Sequence, residues 1–169
     1  MALQQTRISN SAVTARPTGR GKYQAEIALR GGTILADEPV EVGGLGAGPT
    51  PYELLSAALA ACTAMTLRLY AERKGWALPP FSVEAAHSIV PGIAGGAPPR
   101  DLFTRVIRVE GETSVEEQAK MIEIADKCPV HRTLMRGFEI VTEVGSGPAH
   151  ASGEPASQHE RDMEAACAD

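Results

Sequence analysis

Two of the three cysteines in the chain stand where a thiol can take part in chemistry. Cys62 lies within a long apolar segment, and Cys128 directly precedes Pro129, which fits the first position of a helix. A thiolate attacks the O–O bond of a peroxide to give a sulfenic acid, which a second thiol condenses into a disulfide. Exposed N–H groups at a helix N-terminus favour a thiolate, so the local sequence favours Cys128 as the more acidic thiol. The alternative for Cys62 is the role of a small buried hydrophobe.

A histidine close to the second cysteine raises the alternative of a metal site. His131 follows Cys128 by three residues, so these two side chains and Cys62 could bind zinc. A structural zinc site needs a fourth ligand, and none stands at a suitable spacing, so we predict that the chain binds no metal and no cofactor. His87 falls in a predicted strand, where we expect a partly buried ring bonded to the backbone. Cys167 lies in a polar tail without a partner at a defined spacing.

Arg30 and Glu53 are the candidates for supporting the thiol chemistry. An arginine stays charged and offers several donors, which can hold both a thiolate and a peroxide oxygen. Arg30 stands at a predicted turn, where the alternative is a solvated charge. Glu53 follows Thr50 by three residues, a capping-box pattern that gives its carboxylate a structural task at the start of a helix.

A long helix is predicted to position the first cysteine. A capping box followed by a proline predicts that this helix starts at residue 51, and Gly75 supplies its stop. Apolar residues recur at three- and four-residue steps, which places Cys62 on the buried face. Nearly every side of LLSAALAAC is apolar, so we expect a second subunit of a homodimer to cover part of the helix. Two further helices are predicted over residues 115–127 and 129–136.

Alternating apolar and polar residues predict five strands, over residues 22–30, 33–42, 81–90, 102–111 and 138–145. Paired glycines join the first two strands as a hairpin, and a loop rich in proline and glycine joins the next two. The segment GGLGAGP is interpreted as a flexible connector. The order of the elements predicts an α+β fold in which helices cover a mostly antiparallel sheet. Residues 22–145 are predicted to form the domain, between an N-terminal extension (1–21) and a flexible polar tail (146–169).

Composition excludes several classes of partner. The formal net charge of −5 comes without a basic stripe, which argues against nucleic acid as a ligand. The first twenty residues lack the apolar core of a signal peptide, and the longest apolar run is too short to span a bilayer. Three cysteines are too few for a secreted disulfide scaffold, so we expect a cytoplasmic protein whose thiols are reduced.

The segment GPTPYELLSAALAACTAMTLRLYA, followed much later by CPVHRTL, resembles the OsmC/Ohr family of hydroperoxide-handling proteins over residues 22 to 145. The resemblance implies an intertwined homodimer with a mostly antiparallel sheet wrapped around long central helices. It implies that Cys62 attacks the hydroperoxide and that Cys128 resolves the sulfenic acid, the reverse of the roles that the helix-terminus argument favours. An external dithiol would then restore the pair, and an arginine near Cys62 would be required.

One position departs from the family pattern. The best-studied branches have a glutamate just ahead of the cysteine helix, and Tyr52 stands at that place here, with Glu53 one residue later. Two hypotheses about function therefore stay open. The first is a thiol-dependent peroxidase that reduces organic hydroperoxides through a Cys62 sulfenic acid and a Cys62–Cys128 disulfide. The second is an OsmC-like stress-response binding module with little turnover.

Overall fold

The computed structural model describes residues 12–92, 98–145, 161, 163–165 and 168. The chain divides into two compact units, the first comprising Met1–Pro51 with Val141–Gln158 and the second Tyr52–Ile140 with His159–Asp169. The fold is mixed α+β, with antiparallel sheets and one long helix, which confirms the predicted fold class. The predicted domain boundaries at residues 22 and 145 stay a prediction.

The first unit contains an antiparallel sheet of three strands, β1 (Thr14–Pro17), β2 (Ala25–Leu29) and β3 (Gly32–Ala36). Leu29 pairs with Gly32, so the two residues between them form the hairpin turn that the paired glycines predict. Gly32 has φ of 144°, a conformation that a side chain would strain. The sequence did not predict β1, because its exposed side chains show no alternation between apolar and polar types.

The predicted second strand was wrong beyond Ala36. Asp37 follows it, is only 2% exposed, and turns the backbone by accepting hydrogen bonds on its carboxylate. The donors are the backbone N–H groups of Glu38 (2.9 Å), Leu45 (3.1 Å) and Ala47 (3.3 Å). Burial alone raises the pKa of Asp37, but these hydrogen bonds outweigh burial and hold its pKa below the ordinary value.

The glycine-rich segment is an ordered loop around this carboxylate, which corrects its interpretation as a flexible connector. A single 3-10 turn, Val40–Val42, begins the loop. A Cβ atom at Gly44 would lie 1.8 Å from the carbonyl oxygen of Glu38, and one at Gly48 would lie 2.1 Å from that of Leu35. Gly44 and Gly48 are therefore required for close backbone packing.

The second unit contains the remaining elements: helix α1 (Pro51–Lys74), the antiparallel strands β4 (Phe81–Val90) and β5 (Arg100–Val109), and helices α2 (Val115–Asp126) and α3 (Pro129–Arg136). Helix α1 begins and ends where the sequence predicts, and Gly75 has φ of 61° after its last turn. The Ser114–Glu117 capping box at the start of α2 has both of its hydrogen bonds.

Two clusters of buried side chains form the core of this unit. One consists of Leu67, Tyr70, Met121 and Ile124, which join α1 to α2. The other consists of Leu59, Cys62 and Cys128, which join α1 to the start of α3. By length and composition α1 could cross a membrane, but 44% of its most apolar stretch of 18 residues is buried in the fold. We interpret α1 as the core helix of this unit.

The predicted last strand, residues 138–145, was wrong: this segment has no regular secondary structure. Its apolar side chains are exposed, including Phe138, Ile140, Val141 and Val144. Alternation identifies a segment that can present one apolar face, but a strand forms only when another strand accepts its hydrogen bonds. No strand of the described residues pairs with it.

Part of the polar C-terminal tail falls outside the described residues, including Cys167, His150 and His159. Residues 163–165 are helical. Arg73 of α1 donates to the carbonyl oxygen of Glu164 at 2.9 Å and pairs with its carboxylate at 3.2 Å. The flexibility of the tail stays a prediction.

Candidate thiol site

The fold brings the two predicted cysteines together in the second unit. The helical repeat of α1 turns Cys62 toward the core, one turn after Leu59. Cys128 is the N-cap residue of α3, with Pro129 at the first helical position as predicted. Both thiols are reduced, with 3% of Cys62 and none of Cys128 exposed, and their side chains share a hydrogen bond.

The two sulfurs have opposite acidities. The hydrogen bond from the Cys62 thiol lowers the pKa of Cys128 to about 6, against an opposing contribution from burial. The N–H groups of His131 and Val130 at the start of α3 and the Thr63 hydroxyl lower it further. The same hydrogen bond, together with burial, raises the pKa of Cys62. The surroundings therefore favour the anion on Cys128 over the anion on Cys62. This direction agrees with the helix-terminus argument.

A largely apolar cavity of about 980 Å³ opens beside the pair. Leu59, Phe103, Val130 and Leu134 line it and also pack against the two cysteines. A few charged or titratable side chains reach the same cavity, namely Arg100, Asp101, Arg105 and His131. The arrangement suits a small apolar molecule that carries one polar group.

Arg105 is a charged residue of the site that the sequence analysis missed. Its side chain is 13% exposed, and its guanidinium donates to Thr63 Oγ1 (3.0 Å), the carbonyl oxygen of Ala125 (2.9 Å) and Asp126 Oδ1 (2.8 Å). The signal was present in β5, where alternation puts Arg105 on the inward face together with Phe103. A charge at an inward strand position needs partners, and that requirement could have marked this residue.

Within the described residues, His87 bonds to a carboxylate, whereas the prediction was a bond to the backbone. Its Nε2 atom lies 2.7 Å from Asp101 Oδ1, on the neighbouring strand. The imidazole stacks on the Tyr52 ring at 3.9 Å with an interplanar angle of 7°, and the Phe103 ring lies 4.9 Å away. The Asp101 carboxylate can reach the imidazole because β4 and β5 place both side chains on the same face of the hairpin, near the cavity.

Comparison with known proteins identifies the family. The sequence model described as OsmC-like protein matches residues 44–143, more than half of the chain and both cysteines. The chain belongs to this family. No curated protein sequence matches it.

Solved structures share the OsmC-like fold. An organic hydroperoxide resistance protein OsmC from Legionella pneumophila is 20% identical, with a TM-score of 0.57 over 75% of this chain and 88% of that one. The organic hydroperoxide resistance protein OhrB of Bacillus subtilis is 22% identical, with a TM-score of 0.55 over 75% and 90%. An OsmC-like protein from Mycoplasma pneumoniae is 23% identical, with a TM-score of 0.56 over 73% and 86%. At these identities the likeness concerns the fold alone.

The part of the OsmC-like chain that the structure describes offers no ligand set for the zinc alternative. Within the described ranges, no three histidine, cysteine or acidic side chains are grouped so that they could hold a metal ion. His131 instead directs Nδ1 toward Asp126 Oδ1, at 3.8 Å.

The remaining predicted residues of the OsmC-like site lie apart from the sulfur pair or in the other unit. Glu53 is exposed in the first turn of α1. It precedes Cys62 by nine residues, which is about 13 Å along a helix axis. Arg30 is exposed in the turn between β2 and β3 of the first unit. Roles for Glu53 and Arg30 stay predictions, as does an arginine that contacts Cys62.

Proposed function

We propose that this OsmC-like chain is a thiol-dependent peroxidase that reduces organic hydroperoxides through a Cys62 sulfenic acid and a Cys62–Cys128 disulfide. The observation that carries the proposal is the pair of buried, hydrogen-bonded thiols beside an apolar cavity. Two thiols in mutual contact suit attack followed by resolution. The descriptions of the Legionella and Bacillus proteins as organic hydroperoxide resistance proteins support the same class of substrate.

The opposite acidities of the pair are compatible with Cys62 as the attacking residue. In the proposed step, the Cys128 thiolate accepts the Cys62 proton while the Cys62 sulfur attacks a peroxide oxygen. An S–O bond forms and the O–O bond breaks. The alkoxide takes up the proton that Cys128 has accepted and leaves as the alcohol, and Cys62 is oxidised to the sulfenic acid. Cys128 thus serves first as the base for Cys62.

Resolution and recycling complete the proposed cycle. The Cys128 thiolate attacks the sulfenic acid, an S–S bond forms, and the hydroxyl group leaves as water after it takes up a proton from solvent. Two thiols and one hydroperoxide have then become one disulfide, one alcohol and one water. An external dithiol reduces the disulfide by thiol–disulfide exchange and is itself oxidised to a disulfide. The cycle uses no metal and no bound cofactor, and the need for a dithiol supply fits a reducing compartment such as the cytoplasm.

A homodimer is part of the proposal. On the side of α1 away from the core, Leu54, Ala58, Ala61 and Met65 recur at three- and four-residue steps, and Met65 is 56% exposed. The apolar side chains of residues 138–145 are exposed as well. A second copy of the chain would cover such surfaces. Light scattering should give twice the mass of one chain, and a monomeric mass at micromolar concentration would count against the dimer.

The alternative of a binding module has one observation in its favour. Tyr52 occupies the place of the glutamate in the best-studied branches, and its ring is engaged in stacking on His87. A site without that glutamate could keep the fold and the cavity but turn over peroxide slowly. In that case the protein would bind its ligand with both thiols remaining reduced.

One experiment separates the two functions. The fully reduced protein is treated with one equivalent of cumene hydroperoxide, and the products are mapped by peptide mass spectrometry. The peroxidase proposal requires a Cys62–Cys128 disulfide together with the corresponding alcohol. A Cys167→Ser variant is the matched control, because it removes the remaining thiol and should leave the result unchanged. Recovery of both thiols in the reduced state would favour the binding module.

A further inference from the structure

The cavity beside the thiol pair is elongated, because it follows one face of α1 from the thiols toward the start of the helix. Tyr52, Leu55 and Leu59 line it and recur at steps of three and four residues, and Cys62 continues the same face. Tyr52 precedes Cys62 by ten residues, which is about 15 Å along the helix axis. The cavity therefore has one end at the thiols and a far end at the first turn of α1.

Strand β5 defines the same two ends. Arg105 lines the cavity and donates to Thr63 Oγ1, next to the first cysteine, at 3.0 Å. Asp101 also lines the cavity and lies 2.7 Å from Nε2 of His87, whose ring stacks on Tyr52. The four residues from Asp101 to Arg105 span about 13 Å of strand. Helix and strand thus give similar lengths for the cavity, with Arg105 at the thiol end and Asp101 at the far end.

The far end carries a layer of aromatic rings. The Tyr52 ring lies flat on the imidazole of His87, with centroids 3.9 Å apart and planes at 7°. The Phe103 ring lies 4.9 Å from the same imidazole and also packs against the cysteine cluster, so it stands midway along the wall. The His87 side chain is 10% exposed, and its contact with Asp101 fixes the rotation of the ring. Tyr52 is 48% exposed, so its ring depends on this stack for its position.

The wall between the two ends suits an alkyl chain. Leu55, Leu59, Val130 and Leu134 line this part, and their side chains offer no hydrogen-bond donor or acceptor. At the far end, His87 and the Asp101 carboxylate are bonded to each other. A ligand therefore gains binding free energy along the cavity by burying apolar surface.

We propose that Tyr52, held by the His87–Asp101 pair, is a specificity-determining residue whose ring sets the length of the alkyl chain that the cavity accepts. The ligand class is an unbranched alkyl chain whose polar oxygen group lies at the thiol end. A chain longer than the cavity has to displace the ring or extend into water, so further methylene groups gain no binding free energy. The inference rests on the proposed function, because it names the part of the hydroperoxide class that this site selects.

The test is a binding series on the full, reduced chain, and it needs no peroxidase activity. Straight-chain primary alcohols from hexanol to tetradecanol, the products of the corresponding hydroperoxides, are titrated by calorimetry. The affinity of the parent protein should rise about fourfold with each methylene group and reach a plateau where the chain meets Tyr52. In Tyr52→Ala the rise should continue beyond that plateau, by about the same factor for each further methylene group. Tyr52→Phe keeps the ring and should keep the parental plateau.

Two further variants test what holds the ring. His87→Ala removes the stack and leaves Tyr52 in place, and it should extend the rise to longer chains as Tyr52→Ala does. His87→Phe keeps a flat ring for stacking and should keep the parental plateau. Tyr23→Ala is the matched control, because Tyr23 is also exposed, at 41%, but belongs to the first unit, whereas the residues that line the cavity belong to the second.

The outcomes separate this inference from the proposed function. If Tyr52→Ala is folded by circular dichroism and reaches its plateau at the parental chain length, the role of Tyr52 is overturned. Alcohols that bind the parent protein without any dependence on chain length overturn it as well. Should Tyr52→Ala fail to fold, the comparison of His87→Ala with His87→Phe decides, and equal plateaus overturn the proposal. Absence of a disulfide after peroxide treatment would overturn the peroxidase function and leave these affinities standing.

Discussion

The chain has two buried anionic centres, one in each unit, and the two stabilise their negative charge in different ways. The Asp37 carboxylate is surrounded by backbone N–H groups of its own loop. The Cys128 sulfur also receives backbone N–H groups, but its side-chain partner is a second thiol. Fixed donors make the first centre a structural element. A partner that can give up a proton makes the second centre suitable for chemistry.

The two cysteines offer the most direct test of that difference. Cys62→Ser should abolish hydroperoxide consumption, because a serine hydroxyl supplies no comparable anion near neutral pH. Cys128→Ser should still permit the first attack and leave a sulfenic acid on Cys62 that over-oxidises slowly. Peroxide assays together with intact-protein mass spectrometry check both outcomes. Asp37→Asn is the control, since it changes the other centre and should leave the thiol chemistry in place. A sulfenic acid found first on Cys128 would reverse the proposed roles.

The two centres should titrate in different ranges of pH. The pKa of Cys128 is about 6, so peroxide consumption should fall about tenfold for each pH unit below that value. The pKa of Asp37 is lowered by folding, so its stabilisation is complete above the ordinary carboxyl value near 4 and is lost as the pH falls through the lower folded value. Between these values the protein should stay folded while its activity falls. Activity and circular dichroism measured over one pH series check this, and simultaneous loss of both would contradict it.

The glycines around Asp37 predict a smaller effect that concerns only the structural centre. Gly44→Ala places a methyl group against the Glu38 carbonyl and should reduce the free energy of unfolding by about 2 kcal/mol. Gly31→Ala is the control, because nothing lies within 4 Å of its Cβ position, and it should change stability by less than about 0.5 kcal/mol. Urea unfolding measures both. Equal stability of the two variants would mean that the loop accommodates the added methyl group without a loss in the free energy of unfolding.

Removal of residues 147–169 should have the smallest effect of all. The tail lacks a core-forming pattern, and its described contact to α1 is the exposed pair of Arg73 and Glu164. An exposed ion pair contributes at most about 1 kcal/mol. We expect the truncated chain to fold and to consume hydroperoxide at the parental rate, as should Cys167→Ser. A loss of activity in either variant would show that the tail belongs to the thiol site.

The sequence predicted those features of the fold that are determined by residues close together in the chain. The start of α1 at Pro51, its end before Gly75 and the start of α2 at Val115 each depend on a few neighbouring residues. The positions of Cys62 on a buried helix face and of Cys128 at a helix start followed from the same short-range rules.

Features that depend on distant partners were missed or were wrong. The inward Arg105 needs acceptors from two helices far away in sequence, and the imidazole of His87 needs a carboxylate from the neighbouring strand. The predicted strand over residues 138–145 needs a partner that no described residue supplies. A periodic pattern shows which face of a segment is apolar, but it does not show what that face meets.

The order of the two cysteines along the chain has a mechanical consequence. Between Cys62 and Cys128 lie the second half of α1, the β4–β5 hairpin and the whole of α2. A bond between the two sulfurs would enclose these elements in one covalent ring and remove much of the freedom of the unfolded chain, an entropic contribution of about 4 kcal/mol for a loop of that length. Oxidation would therefore make the protein harder to unfold. Its melting temperature would then report which fraction of a sample has reacted with peroxide.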